Sequence, residues 1–250
     1  MLGRWNLRKA LTPADVDAAM AGEPRIVLAV ESANFLEGDA SRVAQAHAWG
    51  VRHMQLVHYI HTPLGDHQTE KPEHGGLAMA GRDAVVQCKR HGVLVDLAHG
   101  SAALVDGALD AAPGVMIWSH SWITPREFTW VAPPYLARAL PLALARKIAA
   151  RGGVMGLWTV RVNDAQYPVR DVNSFADETM HMCDLVGPEH VAFGTDMEGA
   201  GPNAILSNYA DLRRVADNLA QRGLPDATLH GIFFGNYARA LKQAMTERGA

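Results

Sequence analysis

The chain has 250 residues, 48% of them apolar and 20% charged, with a net charge of −3 at neutral pH. That length supports one sizeable core, while the charge balance argues against a nucleic-acid partner and no apolar run approaches the ~20 residues that span a bilayer. Cys88 and Cys183 stand in no paired motif, which argues against a disulfide scaffold or a thiolate zinc site, whereas twelve histidines are more than this length usually carries. Met1 to Ala10 holds three basic residues with no apolar stretch after them, so the chain reads as cytoplasmic as written, and as exported if an upstream segment carries a signal. One domain over 1–250 is expected.

Taken in order, Thr12-Pro13-Ala14-Asp15 predicts a capped helix start, with Gly22 closing the helix. Arg25 to Glu31 is an apolar strand ending in a carboxylate. After a loop over Ser32 to Gly38, Ser41 to Trp49 is a short helix stopped by Gly50. His53 to Tyr59 is the next strand, with His58 at its end. Ile60 to Gly81 is too irregular for an element, and loops this long inside a compact domain are usually functional.

A helix over Gly81 to Arg90 leads into Gly92 to Ser101, an apolar strand whose side chains alternate between faces. Alternation puts Val93, Val95, Leu97 and His99 on one side and Leu94, Asp96 and Ala98 on the other. Helix Ala102 to Ala111 follows, then strand Gly114 to Ser121 with His120 near its end. A proline-rich connection precedes a helix over Leu136 to Arg151, whose start is uncertain because of Pro141. Val154 to Val160 is a strand ending in no obvious catalytic group. After a helix over Asp171 to Val186, strand His190 to Asp196 ends in a carboxylate. Ile205 to Arg222 carries a helical apolar stripe, and a last helix runs from Gly235-Asn236 to the C-terminus. Strand and helix alternate throughout, which predicts an α/β fold with a parallel sheet of six strands.

Five of those six strands end in Glu31, His58, His99, His120 or Asp196. Parallel neighbours present all their carboxyl ends on one side, so these groups converge if the strands are adjacent. Imidazoles with a carboxylate suit Zn²⁺, which activates bound water and polarises a carbonyl, and a further carboxylate can take the water's proton. Arg126 or Arg138 could hold a substrate carboxylate through a bidentate pair; an arginine beside prolines is also commonly solvent-exposed.

Val30 to Asp39, Leu56-Val57-His58-Tyr59, Gly75-Gly76-Leu77, Gly92 to His99, Ser119-His120-Ser121 and Gly194 to Gly199, with Gly235-Asn236-Tyr237 near the end, together resemble the membrane (renal-type) dipeptidase family. This is metallopeptidase family M19 of the amidohydrolase superfamily. The likeness runs in order from about residue 11 to 242. It implies a (β/α)₈ TIM barrel with a two-zinc site cleaving dipeptides, some with a D-residue in the C-terminal position. By motif position, Glu31 would bridge the two metals, His99 and His120 would complete the second metal's ligands, and Asp196 would be both a ligand and the proton acceptor. His58 would meet the developing oxyanion, and Arg138 rather than Arg126 would meet the substrate carboxylate.

Two departures carry expectations of their own. The family has glycine after the bridging glutamate where this chain has Ser32, a change that an unstrained turn would tolerate. The family's first strand ends in His-x-Asp, which supplies ligands of the first metal, and no His-x-Asp occurs in these 250 residues. The first two β/α units of an eight-stranded barrel are thus expected to be lacking, with one metal site complete and an open sheet edge exposing apolar strand surface. Three outcomes follow: a fragment of a full two-metal enzyme, pairing of the open edge in a homo-oligomer or with another chain, or a reduced relative with weak or no activity. The alternatives to a dipeptidase are a non-catalytic interaction protein and an amidohydrolase acting on lactones or N-acyl compounds.

Overall fold

The computed structural model describes residues 7–248. Positions 1–6, on which part of the leader reading falls, and 249–250, to which the final helix is expected to run, lie outside the described residues.

Six short strands form the central sheet: β1 (Leu28–Val30), β2 (Val51–Gln55), β3 (Leu94–Asp96), β4 (Met116–Ser121), β5 (Met155–Trp158) and β6 (Val191–Gly194). They lie side by side in chain order, and every adjacent pair is parallel. An order that never reverses belongs to a singly wound β/α barrel, not to a doubly wound sheet with a switch point. β1 and β6 are edges rather than neighbours, so the barrel is open, as the strand count implies.

Between the strands run α2 (Arg42–Trp49), α3 (Met79–His91), α4 (Ala102–Ala111), α5 (Leu142–Ala150) and α6 (Val172–Val186), with α1 (Pro13–Met20) before them and α7 (Leu212–Gln221) and α8 (Asn236–Thr246) after. The start of α1 is a capping box: the Thr12 hydroxyl accepts the Asp15 N–H, and the Asp15 carboxylate accepts the Thr12 N–H. The crossover helices bury Val43, Val85, Leu104, Ile148 and Phe175 against Met54, Val93, Val95, Leu97, Met116 and Leu157 on the outer face of the sheet.

The inner face differs from expectation. A barrel interior is ordinarily filled by strand side chains, but here α8 occupies it. Ala240, Leu241, Ala244 and Met245 pack with Leu94, Ile117 and Ala192, and with Val16 of α1, in a core of their own. Gly92, at φ 68°, permits this approach, because a Cβ there would stand 3.1 Å from the Met245 Cα. Arg8–Lys9 also pairs in parallel with Arg25–Ile26 just before β1, an unexpected strand that partners the amino-terminal end of that edge. α8 thus covers part of the inner face, while the edge strand β1 keeps the exposure expected of an open edge, with Leu28 and Val30 half-buried and Ala29 exposed. No described helix is long and apolar enough to cross a membrane.

Several boundaries moved for local reasons. The helix expected over Leu136 to Arg151 breaks at Pro141, which has no N–H to donate: Leu140–Pro141 instead pairs with Ile123–Thr124, and α5 begins at Leu142. α7 starts at Leu212 rather than Ile205, because the Asp211 carboxylate accepts the Ser207 N–H and Asn208 caps the turn at Tyr209–Asp211. Strands are shorter than the apolar runs that suggested them. β2 stops at Gln55, whose side-chain amide donates to the Val57 carbonyl at 2.8 Å.

Candidate metal centre

The carboxyl ends of β1 to β4 bring one carboxylate and three imidazoles together. Glu31 Oε1 lies 3.5 Å from the Nε2 atoms of His58, His99 and His120 alike. The Nε2 atoms of His99 and His120 are 3.0 Å apart. These separations match donors that share one ion at the 2.0–2.2 Å bond lengths of zinc. Asp196 borders the same cavity of about 190 Å³ as Glu31 and His120, outside the tight group of donors.

Strand alternation alone does not aim these side chains. Val93, Val95 and Leu97 face the outer helices, and His99 would follow them if the strand continued. Instead Asp96 ends β3 by accepting the N–H groups of Ala98 and Ser119 on Oδ1, and His99 takes a left-handed φ of 68° that turns it inward. His120 is re-aimed by a bulge: Trp118 to Ser121 spans three steps of β4 opposite two steps of β5, from Met155 to Leu157. Glycine makes the bulge possible, since a Cβ on Gly194 would stand only 1.8 Å from the Ser119 carbonyl oxygen. Asp196 sits at φ 43° and Ser32, just after Glu31, at φ 78°. Among the described residues, three of the four non-glycine residues with positive φ thus lie at this site, the clustering expected where backbone strain serves function. The condition for easy tolerance of Ser32, a turn without strain, is not met: the position has a positive φ that glycine adopts freely and serine adopts only at a cost.

The electrostatics suit ligation. Burial, reinforced by the Arg138 guanidinium, holds His58 and His99 below the ordinary imidazole range and brings His120 down to about 3. All three are neutral at pH 7 and offer lone pairs. Burial raises Glu31, and the nearby Asp196 and Asp96 carboxylates raise it further. Asp196 is also raised by burial, against the hydrogen bond it receives from Trp158. The His99 Nδ1 is buried without a hydrogen-bond partner, while His120 Nδ1 is 2.7 Å from the Ser119 hydroxyl, which leaves its Nε2 for Glu31 and an ion. The donor set therefore fits one zinc-class ion.

The structure separates the two candidate arginines. Arg126 is exposed and donates to Gln166 at 2.9 Å. Arg138 is completely buried; Nη1 donates to Gln68 Oε1 at 2.6 Å and Nη2 to the His120 carbonyl at 3.2 Å. Trp158 was not anticipated, because its strand seemed to end in nothing catalytic. Its indole N–H donates to Asp196 Oδ2 at 3.1 Å and its ring lies 5.6 Å from the Arg138 guanidinium carbon. A large amphipathic ring at a strand's carboxyl end was the signal available. Beneath the site, His53 Nε2 is 3.1 Å from Asp96 Oδ2 and its Nδ1 is 3.1 Å from the Tyr237 hydroxyl of α8, a polar link that sequence could not reveal without the position of α8.

Comparison with known proteins bears on the family and the fold. The model of the membrane dipeptidase family, peptidase family M19, matches residues 4–249. The dipeptidase aclJ of Aspergillus oryzae is 29% identical over 222 residues, covering 86% of this chain and 50% of the relative. Dipeptidase 3 of Homo sapiens is 24% identical over 234 residues, covering 87% and 44%. The chain thus spans about half the length of the curated relatives it matches. Among solved structures, the probable dipeptidase PvdM of Pseudomonas aeruginosa superposes with a TM-score of 0.85 at 18% identity, covering 99% of this chain and 76% of that one. A metallo peptidase of Rhodobacter sphaeroides, liganded with a phosphinate mimic of the dipeptide L-Ala-D-Ala, gives 0.81 at 19% identity, covering 95% and 69%. These two likenesses establish the shared fold.

Proposed function

The chain belongs to the membrane dipeptidase family, peptidase family M19, and on that premise we propose that it hydrolyses the amide bond of dipeptides with one metal ion held by Glu31, His99 and His120. The observation that carries the reading is the convergence of the three imidazole Nε2 atoms on Glu31 Oε1. Two imidazoles and a carboxylate are the usual protein ligands of a catalytic zinc with an open position. Zinc, when bound there, lowers the pKa of water to about 7 and polarises the substrate carbonyl.

The chain's own groups do the rest. Asp196, half-buried and held through Oδ2 by the Trp158 N–H, takes the proton of the attacking water as its oxygen bonds to the carbonyl carbon. It returns that proton to the departing amine as the C–N bond breaks. His58, a third of its side chain exposed and packed on His99 at 4.3 Å between ring centroids, donates an N–H to the oxygen on which negative charge develops. Arg138 holds the His120 backbone through its carbonyl and supplies fixed positive charge for the substrate carboxylate, which replaces Gln68 on Nη1.

Asp196→Asn tests the assignment. Zinc content should be retained while kcat on L-Ala-D-Ala falls ~10²–10⁴-fold, the range for loss of a general base. His120→Ala should lose the ion. Unchanged turnover in Asp196→Asn, or no turnover by the zinc-loaded parent, defeats the reading.

A further inference from the structure

The loop between β2 and α3 holds a second group of ligating side chains that shares no residue with the centre above. His61, His67 and Glu70 each offer one atom within 4.8 Å of the others. His61 Nε2 is 2.8 Å from Glu70 Oε2, and His67 Nε2 is 3.8 Å from the same oxygen. Glu73 approaches from the far side, its Oε2 3.4 Å from His61 Nδ1.

His67 distinguishes this group from a solvated surface cluster. Its side chain is 1% exposed, its Nδ1 is 3.1 Å from the Thr69 hydroxyl, and its Nε2 is buried with no hydrogen-bond partner. A buried polar atom left unpaired costs ~1–3 kcal/mol, and this one faces a carboxylate at a distance too long for a hydrogen bond. Across a tetrahedral ion with bonds of 2.0–2.2 Å, ligand atoms stand about 3.4 Å apart, so small side-chain shifts would seat both imidazoles and Glu70 on one ion. Burial also holds the His67 imidazole below its ordinary range, so it is neutral and able to ligate.

The backbone around the group is already fixed. Asp66 is buried and its carboxylate accepts the N–H groups of Glu73, His74 and Gly76 at 2.7–2.9 Å, while Gln68 N–H donates to the His99 carbonyl at 2.8 Å. Ligands on a preset loop need little ordering on binding.

We propose that His61, His67 and Glu70 form a second, separate site for one divalent ion of the zinc class, with water completing its coordination. An ion there ties the loop that carries Gln68 to the strand ends, and Gln68 contacts both Arg138 and the His99 backbone.

Zinc per chain, measured by elemental analysis after equilibrium dialysis, tests the site. The parent should hold two equivalents. Glu70→Gln, whose side chain is half exposed, should hold one, and so should His67→Gln. His99→Ala should also hold one, and the His99→Ala/Glu70→Gln double variant none; Glu31→Gln replaces His99→Ala if the latter fails to fold. Zinc should raise the Tm of His99→Ala but not that of the double variant. If Glu70→Gln and His67→Gln retain the parent's zinc content, or if His99→Ala alone removes all zinc, the inference is overturned.

Discussion

Ser32→Gly tests directly whether the turn after Glu31 is strained. Ser32 lies at φ 78°, ψ 112°, where a non-glycine residue costs ~1–3 kcal/mol, and its buried hydroxyl has no hydrogen-bond partner, a further ~1–3 kcal/mol. Against these stands the extra freedom glycine gives the unfolded chain, ~0.5–1 kcal/mol. The balance favours Ser32→Gly by about 3 kcal/mol, within a span of ~1–5 kcal/mol, or roughly 6–12 °C in Tm for a chain of this size. Ser32→Ala keeps the Cβ and its strain but removes the hydroxyl, so it should gain only about 1–2 kcal/mol. Urea unfolding of the zinc-free proteins should therefore rank glycine above alanine above serine. A Ser32→Gly variant less stable than the parent, or an alanine variant at least as stable as the glycine one, refutes the strain argument.

The remaining predictions concern a buried acid, the substrate carboxylate and the inner helix. Glu178 on α6 is buried with an unpartnered Oε1, and burial pushes its carboxyl from 4.5 up to about 8. The folded state keeps that proton longer than the unfolded state, so its stability is full below pH 4.5 and declines as pH rises through about 8. Glu178→Gln removes this decline, whose ceiling is about 5 kcal/mol; denaturant midpoints at pH 5 and pH 9 should converge at the first and separate at the second, and equal pH slopes for the two proteins would contradict it. Arg138→Met should raise KM for a dipeptide ~10–100-fold, the loss of a charge-assisted contact, with a smaller effect on the same dipeptide carrying a C-terminal amide. Equal losses on both would remove the carboxylate role. Leu241→Ala, in the core between α8 and the sheet, should cost ~2–5 kcal/mol in urea unfolding, whereas a loss near zero would mean that α8 does not fill the inner face.

Much of the site was legible because strand ends are legible: Glu31, His58, His99 and His120 each close an apolar run, and parallel adjacency brings them together. How they point was not. Alternation assigned His99 to the face of Val95 and Leu97, and only the left-handed φ of His99 and the bulge before Ser121 put the imidazoles on Glu31. Neither device has a local sequence signature, since each depends on what the neighbouring strand leaves room for, as Gly194 does for Ser119 and His120. The same limit hid Trp158, whose partner Asp196 is 38 residues away. At the level of the fold, the strand count and order followed from hydrophobic pattern. The position of α8 did not, because an amphipathic helix fits equally well outside a barrel or against the inner face of an open one.

The central claim is that this chain, without a His-x-Asp pair, carries a working one-ion dipeptidase site. The direct test is the initial rate of L-Ala-D-Ala hydrolysis as zinc is added back stepwise to metal-free Glu70→Gln protein, with Glu70→Gln/His99→Ala alongside. The account predicts a rate that rises from zero and saturates at one equivalent of zinc, with no rate in the double variant. No hydrolysis at any zinc level, or the same rate with and without His99, would contradict it.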